Sequence, residues 1–156
     1  MRADIGFGAA VANSSVTLGE GIAESVIGTQ ALAVGIDSVD IERIDRAMTM
    51  NPGFVHRVFT GDEQRHCDGR ARPSESYAAR WAAKEAVVKC LGLSMVSNRP
   101  TDIEVGLHPD GAPWIRLHGP AQQAASALGV ERWLVSLTHD QTNAAAVVVA
   151  LGTSHG

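Results

Sequence analysis

The chain has 156 residues, 45% of them hydrophobic and 19% charged, with a formal net charge of −4. That length holds one domain with a real core, and the composition excludes a disordered chain. The net negative charge excludes a general nucleic-acid binder, and no window reaches the roughly 18 uninterrupted apolar residues of a membrane helix. Cys67 and Cys90 are neither CxxC-spaced nor dense enough for a disulfide framework, which favours a reducing, cytoplasmic setting. Charge is uneven along the chain. Arg43, Arg46, Arg57, Arg65, Arg70, Arg72 and Arg80 form a local basic excess suited to an acidic partner.

Residues 1–30 are rich in Gly, Ala, Ser and Val with weak periodicity, and read as a loosely structured extension with a short helix near Gly21–Ile27. They lack the basic start and solid apolar core of a signal peptide. The domain proper is expected over residues 31–152. Leu32, Val34, Ile36 and Val39 outline a strand, with Gly35 permitting close backbone approach and Asp37 projecting opposite to Ile36. Asp40 is placed to cap a helix whose apolar face is Ile41, Ile44, Ala47 and Met48. After Asn51-Pro52-Gly53, Phe54, Val58 and Phe59 anchor a short helical turn, and Thr60 with Glu63 forms a capping box that opens another helix.

The spacing then predicts a helix over Tyr77–Cys90, rich in alanine and free of Gly and Pro, with Gly92 as its stop. Trp81, Glu85 and Lys89 share one face, while Ala79, Ala82, Ala83, Ala86 and Cys90 offer a small-residue face for close packing. Taken alone, Glu85 and Lys89 fit first a solvated ion pair, and second a metal ligand and a phosphate clamp. A hairpin follows, with His108-Pro109-Asp110-Gly111 as its turn, then an alanine-rich helix from Gly119 to Leu128. Trp133, Val135 and Leu137 alternate in a strand ending at Ser136-Leu137-Thr138-His139, and Ala144–Ala150 forms the last strand. The order β-α-α-α-ββ-α-ββ predicts an α+β domain, a small and mostly antiparallel sheet packed on a long helix.

Three islands carry polar groups that a core does not require: Asp37, the Trp81–Lys89 helix, and Ser136 to His139. Two carboxylates, a lysine, an imidazole and two hydroxyls suit a hard cation together with a phosphate.

The run Gly35 to Ile44, then Phe54 to Thr60 with Glu63, then Ala79-Arg80-Trp81-Ala82-Ala83-Lys84-Glu85 through Lys89, and finally Ser136 to His139, resembles the ordered signatures of the holo-acyl-carrier-protein synthase family of 4′-phosphopantetheinyl transferases, over residues 33–151. The resemblance implies the fold of that family and a reaction. The phosphopantetheine arm of coenzyme A moves to a serine of an acyl carrier protein, or of a carrier domain of a fatty acid synthase, with Mg²⁺ as cofactor and adenosine 3′,5′-bisphosphate as the leaving product. It implies Asp37 and Glu85 as magnesium ligands and, with Lys89 beside the pyrophosphate, as the catalytic set. His139, Ser136, Thr138 and Arg80 are implied on the coenzyme A phosphates, Arg80 in a phosphate-binding or structural role, and Gly111 and Pro113 near the adenine. For this implied reaction the base is left open between a metal-bound water and Glu85. The larger two-repeat relatives carry a further acid two residues after the first Asp. Here that position is Val39, so water is expected to complete the coordination. Arg43 matches the position that faces an acidic helix of the carrier, supported by Arg46 and Arg57 and by Met48 and Phe54. The short type of this family implies a homotrimer with active sites between neighbours.

Overall fold

A long helix lies across a small sheet because both surfaces are built from residues with almost no side chain. In a computed structural model that describes residues 28–95 and 99–153, the elements run β1 (Thr29–Asp40), α1 (Ile41–Met50), α2 (Phe54–Val58), α3 (Gly61–Asp68) and α4 (Pro73–Cys90), then β2 (Ile103–Leu107), β3 (Pro113–Leu117), α5 (Gly119–Ala127), β4 (Arg132–His139) and β5 (Asn143–Thr153). A 3₁₀ turn, Pro100–Asp102, precedes β2. The antiparallel sheet has the order β1-β5-β4, and β2 and β3 form a separate hairpin. Ala78, Ala82, Ala83 and Ala86 of α4 are buried, as are Ala144, Ala146, Val148 and Ala150 of β5. The helix expected near Gly21–Ile27 lies outside the described residues. No helix among the described residues is long and apolar enough to cross a membrane.

The local signals act as their chemistry requires. Asp40 caps α1 by accepting the Arg43 N–H at 3.1 Å. Thr60 and Glu63 close the capping box of α3, with the Thr60 N–H donating to Glu63 Oε2 at 2.7 Å. Helix α4 starts at Pro73, four residues before the expected Tyr77. Proline fits a first-turn position, where its missing N–H would have no partner. Gly92, with φ of 63°, follows its end. The helical turn expected at Phe54 is a helix in its own right, α2.

Strand β1 holds a reversal of phase. Leu32, Val34 and Ile36 alternate as expected, but Val34 is 64% and Ile36 63% exposed, so the larger aliphatics face away from α4. The antiparallel register puts Val34, Val149 and Leu134 in one row, and Ile36, Val147 and Ser136 in the next. One face of the sheet is therefore open and apolar. The opposite face carries Ala33, Gly35, Asp37 and Val39 toward the helix.

A buried ion pair ties α3 and the hairpin to α4. Lys84 and Glu63 are 0% and 1% exposed and meet at 2.8 Å. Lys84 also donates to the carbonyls of Pro100 at 2.9 Å and Ile103 at 2.5 Å, while Glu63 Oε1 accepts the Val105 N–H at 2.9 Å. Buried charges of this kind persist only when their donors and acceptors are satisfied in this way.

Candidate active site

Gly35 sets the geometry of the centre. A Cβ built there would lie 2.0 Å from the Ala86 carbonyl oxygen, so only glycine lets β1 approach α4 this closely. Two residues on along the same strand face stands Asp37, and the neighbour of Ala86 on the helix is Glu85. The two carboxylates are close enough to sense one another. Burial raises the Glu85 carboxyl above its ordinary value, and the Asp37 charge adds to the rise. Lys89 and Arg43 oppose it.

Lys89 does not pair with Glu85 one turn away, as helical spacing allows. It reaches across to β1 instead, where its ammonium donates to Asp37 Oδ1 at 2.7 Å and to the Ile36 carbonyl at 2.8 Å. Among the described residues no group of three or more His, Cys, Asp and Glu side chains is arranged to hold a metal. Two carboxylates with a lysine form an oxygen-donor pair open to further ligands, which is the kind of set that holds Mg²⁺ beside phosphates.

On the other side of α4 lies a cavity of about 610 Å³, walled by His66, Arg70, Arg72, Arg80 and His139 together with Glu75 and Leu137. Its field is positive. Burial, and then the guanidiniums of Arg80 and Arg70, hold His66 below its ordinary pKa. Arg80 is 3% exposed and serves both structure and cavity wall, donating to the Val105 carbonyl at 3.1 Å and to Ser76 Oγ at 2.8 Å. Arg70 and Arg72 were legible only as part of the arginine excess; the breaker-rich loop before Pro73 is the signal that sets them at a helix entrance.

The Asp37–Lys89 centre and this cavity occupy opposite flanks of α4. Arg80 and Lys89 are nine residues, about two and a half turns, apart and so leave opposite sides of the helix. Asp37, Ala146 and Leu137 share one row of the sheet, with Asp37 and the cavity-lining Leu137 on its outer strands. Ser136 and Thr138 alternate with Leu137 and point to the open sheet face, so one chain does not bring them together with His139. Gly111 and Pro113 lie at the exposed hairpin end, where Gly111 adopts a φ of 89°.

Arg43 and Arg46 are exposed on α1, with Arg46 paired to Glu42 at 3.0 Å, and Arg57 donates to Asn51 at 2.8 Å. Met48 and Phe54 are half-buried against the core, Phe54 with its ring 6.0 Å from that of Trp81. Met50 is instead the open apolar residue of α1, 77% exposed.

A family model described as the 4′-phosphopantetheinyl transferase superfamily matches residues 33–148. The holo-[acyl-carrier-protein] synthase of Moorella thermoacetica is 43% identical over 118 residues, covering 76% of this chain and 92% of that protein. Its counterpart from Salinispora arenicola is 44% identical over 119 residues, covering 76% and 97%. Among solved structures, the Helicobacter pylori holo-[acyl-carrier-protein] synthase in complex with coenzyme A is 30% identical with a TM-score of 0.61, over 75% of this chain and 98% of that one. The match runs from within β1 to within β5 and takes in both carboxylates, the lysine and the cationic cavity, and with it the chain belongs to the 4′-phosphopantetheinyl transferase superfamily.

Proposed function

We propose that this chain is a holo-[acyl-carrier-protein] synthase that moves the 4′-phosphopantetheine arm of coenzyme A onto a serine hydroxyl of an acyl carrier protein or carrier domain, releasing adenosine 3′,5′-bisphosphate. The observation that carries this reading is the meeting of Asp37, Glu85 and Lys89 where β1 touches α4. Attack of a hydroxyl on a phosphodiester needs charge neutralisation on the pyrophosphate and an aligned nucleophile. Asp37 and Glu85 would hold Mg²⁺, which when bound supplies that neutralisation and a template for the phosphate oxygens. Lys89 brings a compact positive charge to the same pyrophosphate. The serine proton would pass to Glu85 or to a water held by the cation, the two groups of this centre able to accept it. Arg70, Arg72, Arg80 and His139 wall the cavity proposed for the coenzyme A phosphates.

The two flanks of α4 also support a shared site. The acid-and-lysine centre of one chain would work with the cationic cavity of its neighbour, and the open apolar face of β1, β5 and β4 is the surface available for that assembly. A trimer is the assembly proposed, and light scattering at three chain masses tests it. Arg43, Arg46 and Arg57, with Met50 beside them, form the surface proposed for an acidic helix of the carrier.

The experiment is mass spectrometry of an apo carrier protein incubated with this chain, coenzyme A and Mg²⁺. The carrier should gain the mass of one phosphopantetheine arm, and a chelator should prevent the gain. No gain across a panel of free-standing carriers and carrier domains contradicts the reading. It would favour another Mg²⁺-dependent phosphate reaction at the same centre.

A further inference from the structure

The chain spends arginine freely and lysine hardly at all: of its 13 Lys and Arg residues only two, Lys84 and Lys89, are lysines. Lys84 is locked in the buried pair with Glu63. Lys89 is placed otherwise. Its ammonium donates to two consecutive residues of β1, to the Asp37 carboxylate at 2.7 Å and to the Ile36 carbonyl at 2.8 Å. The Asp37 side chain is only 20% exposed, whereas that of Lys89 is 52% exposed. The acid is the walled partner, and the lysine is the one with room to leave. Glu85 stands one turn before Lys89 on the same helix face.

We propose that Lys89 is an internal stand-in for the divalent cation: its ammonium holds the Asp37 carboxylate and gives it up when the cation binds. The proposal rests on reading Asp37 and Glu85 as the cation's ligands. A hard divalent ion such as Mg²⁺ sits about 2.0–2.1 Å from a carboxylate oxygen. An ammonium hydrogen-bonded to the same carboxylate would then lie within a few ångströms of that ion, and like charges at such range repel strongly even near a protein surface. One of them has to move, and lysine is built for it. Its ammonium is a point charge on a flexible four-carbon stem, where an arginine would keep a planar, two-pronged grip on the acid.

Two consequences follow for the reaction. Lys89 becomes available to the pyrophosphate as it leaves Asp37, so its charge is delivered only where the cation has arrived. Mg²⁺ alone also has to displace an internal ion pair, so the wild-type protein binds it more weakly than its two carboxylates alone would.

The test uses the full chain without coenzyme A and Mg²⁺ as the sole ligand. With lysine labelled by ¹³C at Cε, the two side chains give two signals. Saturation with Mg²⁺ should carry the Lys89 signal toward that of a solvent-exposed lysine and leave the Lys84 signal in place. By calorimetry, Lys89→Met, which keeps the stem and loses the charge, should bind Mg²⁺ about tenfold more tightly, and Lys89→Arg no more tightly than wild type. Mg²⁺ binding by the Met variant where wild type shows none would support the proposal equally. A Lys89 signal that stays fixed as Mg²⁺ saturates overturns it, as does a Met variant that binds Mg²⁺ no better or not at all. Mg²⁺ binding that survives both Asp37→Asn and Glu85→Gln would instead sink the cation-site reading beneath the proposal.

Discussion

Lys84 and Lys89 stand five positions apart on one helix, and each gives its ammonium to a carboxylate, at 2.8 and 2.7 Å. Their surroundings make them different devices. The Lys84–Glu63 pair has no exposure to speak of, and its polar atoms are satisfied by backbone groups of Thr60, Pro100, Ile103 and Val105. The Lys89–Asp37 pair is half open to solvent on the lysine side and has a second carboxylate, Glu85, beside it. One pair fixes where the helix lies; the other is free to exchange partners. Burial, rather than the chemistry of the pair, decides which role each takes.

The sharpest way to break this contrast is to remove each amine in turn. Lys89→Met should lower phosphopantetheine transfer by about 10²–10³-fold, as loss of one preorganised charge at a reacting phosphate does. Its stability should change by no more than about 1 kcal/mol, because the lysine side of the pair is open to solvent. Lys84→Met should do the reverse. Denaturant unfolding should show a loss of about 3–5 kcal/mol, since Glu63 is left as a buried, unpaired charge. Adding Glu63→Leu to that variant should recover part of the loss. If the two single variants lose stability equally, the distinction between the pairs is wrong.

Gly35→Ala sharpens the comparison from the strand side. The new Cβ would meet the Ala86 carbonyl at 2.0 Å, and backbone cannot yield as a side chain tip can. Overpacking of this kind costs about 1–3 kcal/mol. It should also weaken Mg²⁺ binding, because it pushes Asp37 away from Glu85. Unchanged cation affinity in a folded variant would separate Gly35 from the centre.

The smallest effect expected is on pH. Burial first and the Asp37 carboxylate second raise the folded-state pKa of Glu85. A raised carboxyl contributes stability that is present below its unfolded pKa and lost as pH rises through the folded one. Cation binding carries the opposite sign. It needs Glu85 ionised, so Mg²⁺ affinity should fall on acidification at a higher pH than an ordinary carboxylate would give. Glu85→Gln should abolish the stability trend, and a cation affinity that holds constant down to the ordinary carboxylate range contradicts the assignment.

Much of this architecture was legible in the chain. Alternation marked β1 and β4, a short unbroken apolar run marked β5, the capping residues marked α1 and α3, and the small-residue face of α4 announced close packing. What spacing does not reveal is which side of a strand is covered. The aliphatics of β1 look like core, yet the helix lies so close that Ala33 and Gly35 take the inner face and Val34 and Ile36 the outer. Partners distant in sequence are hidden for the same reason. Helical spacing offered Glu85 to Lys89, but the lysine pairs with Asp37, 52 positions away, and nothing in the helix around Lys84 points to Glu63, 21 positions away. Asp37 and Glu85 themselves were placed by motif, and the fold brings their elements into contact through Gly35. The cationic cavity was not foreseen as a unit, because its arginines come from a loop and a helix whose relative orientation depends on the packing of α4.

Glu85→Gln tests the central claim most directly, since it removes one charge from the centre without changing the size of the side chain. The account predicts a folded variant that still binds coenzyme A and adds no phosphopantetheine to an apo carrier protein, as read by mass spectrometry of the carrier. A carrier fully modified by that variant at the wild-type rate would contradict it.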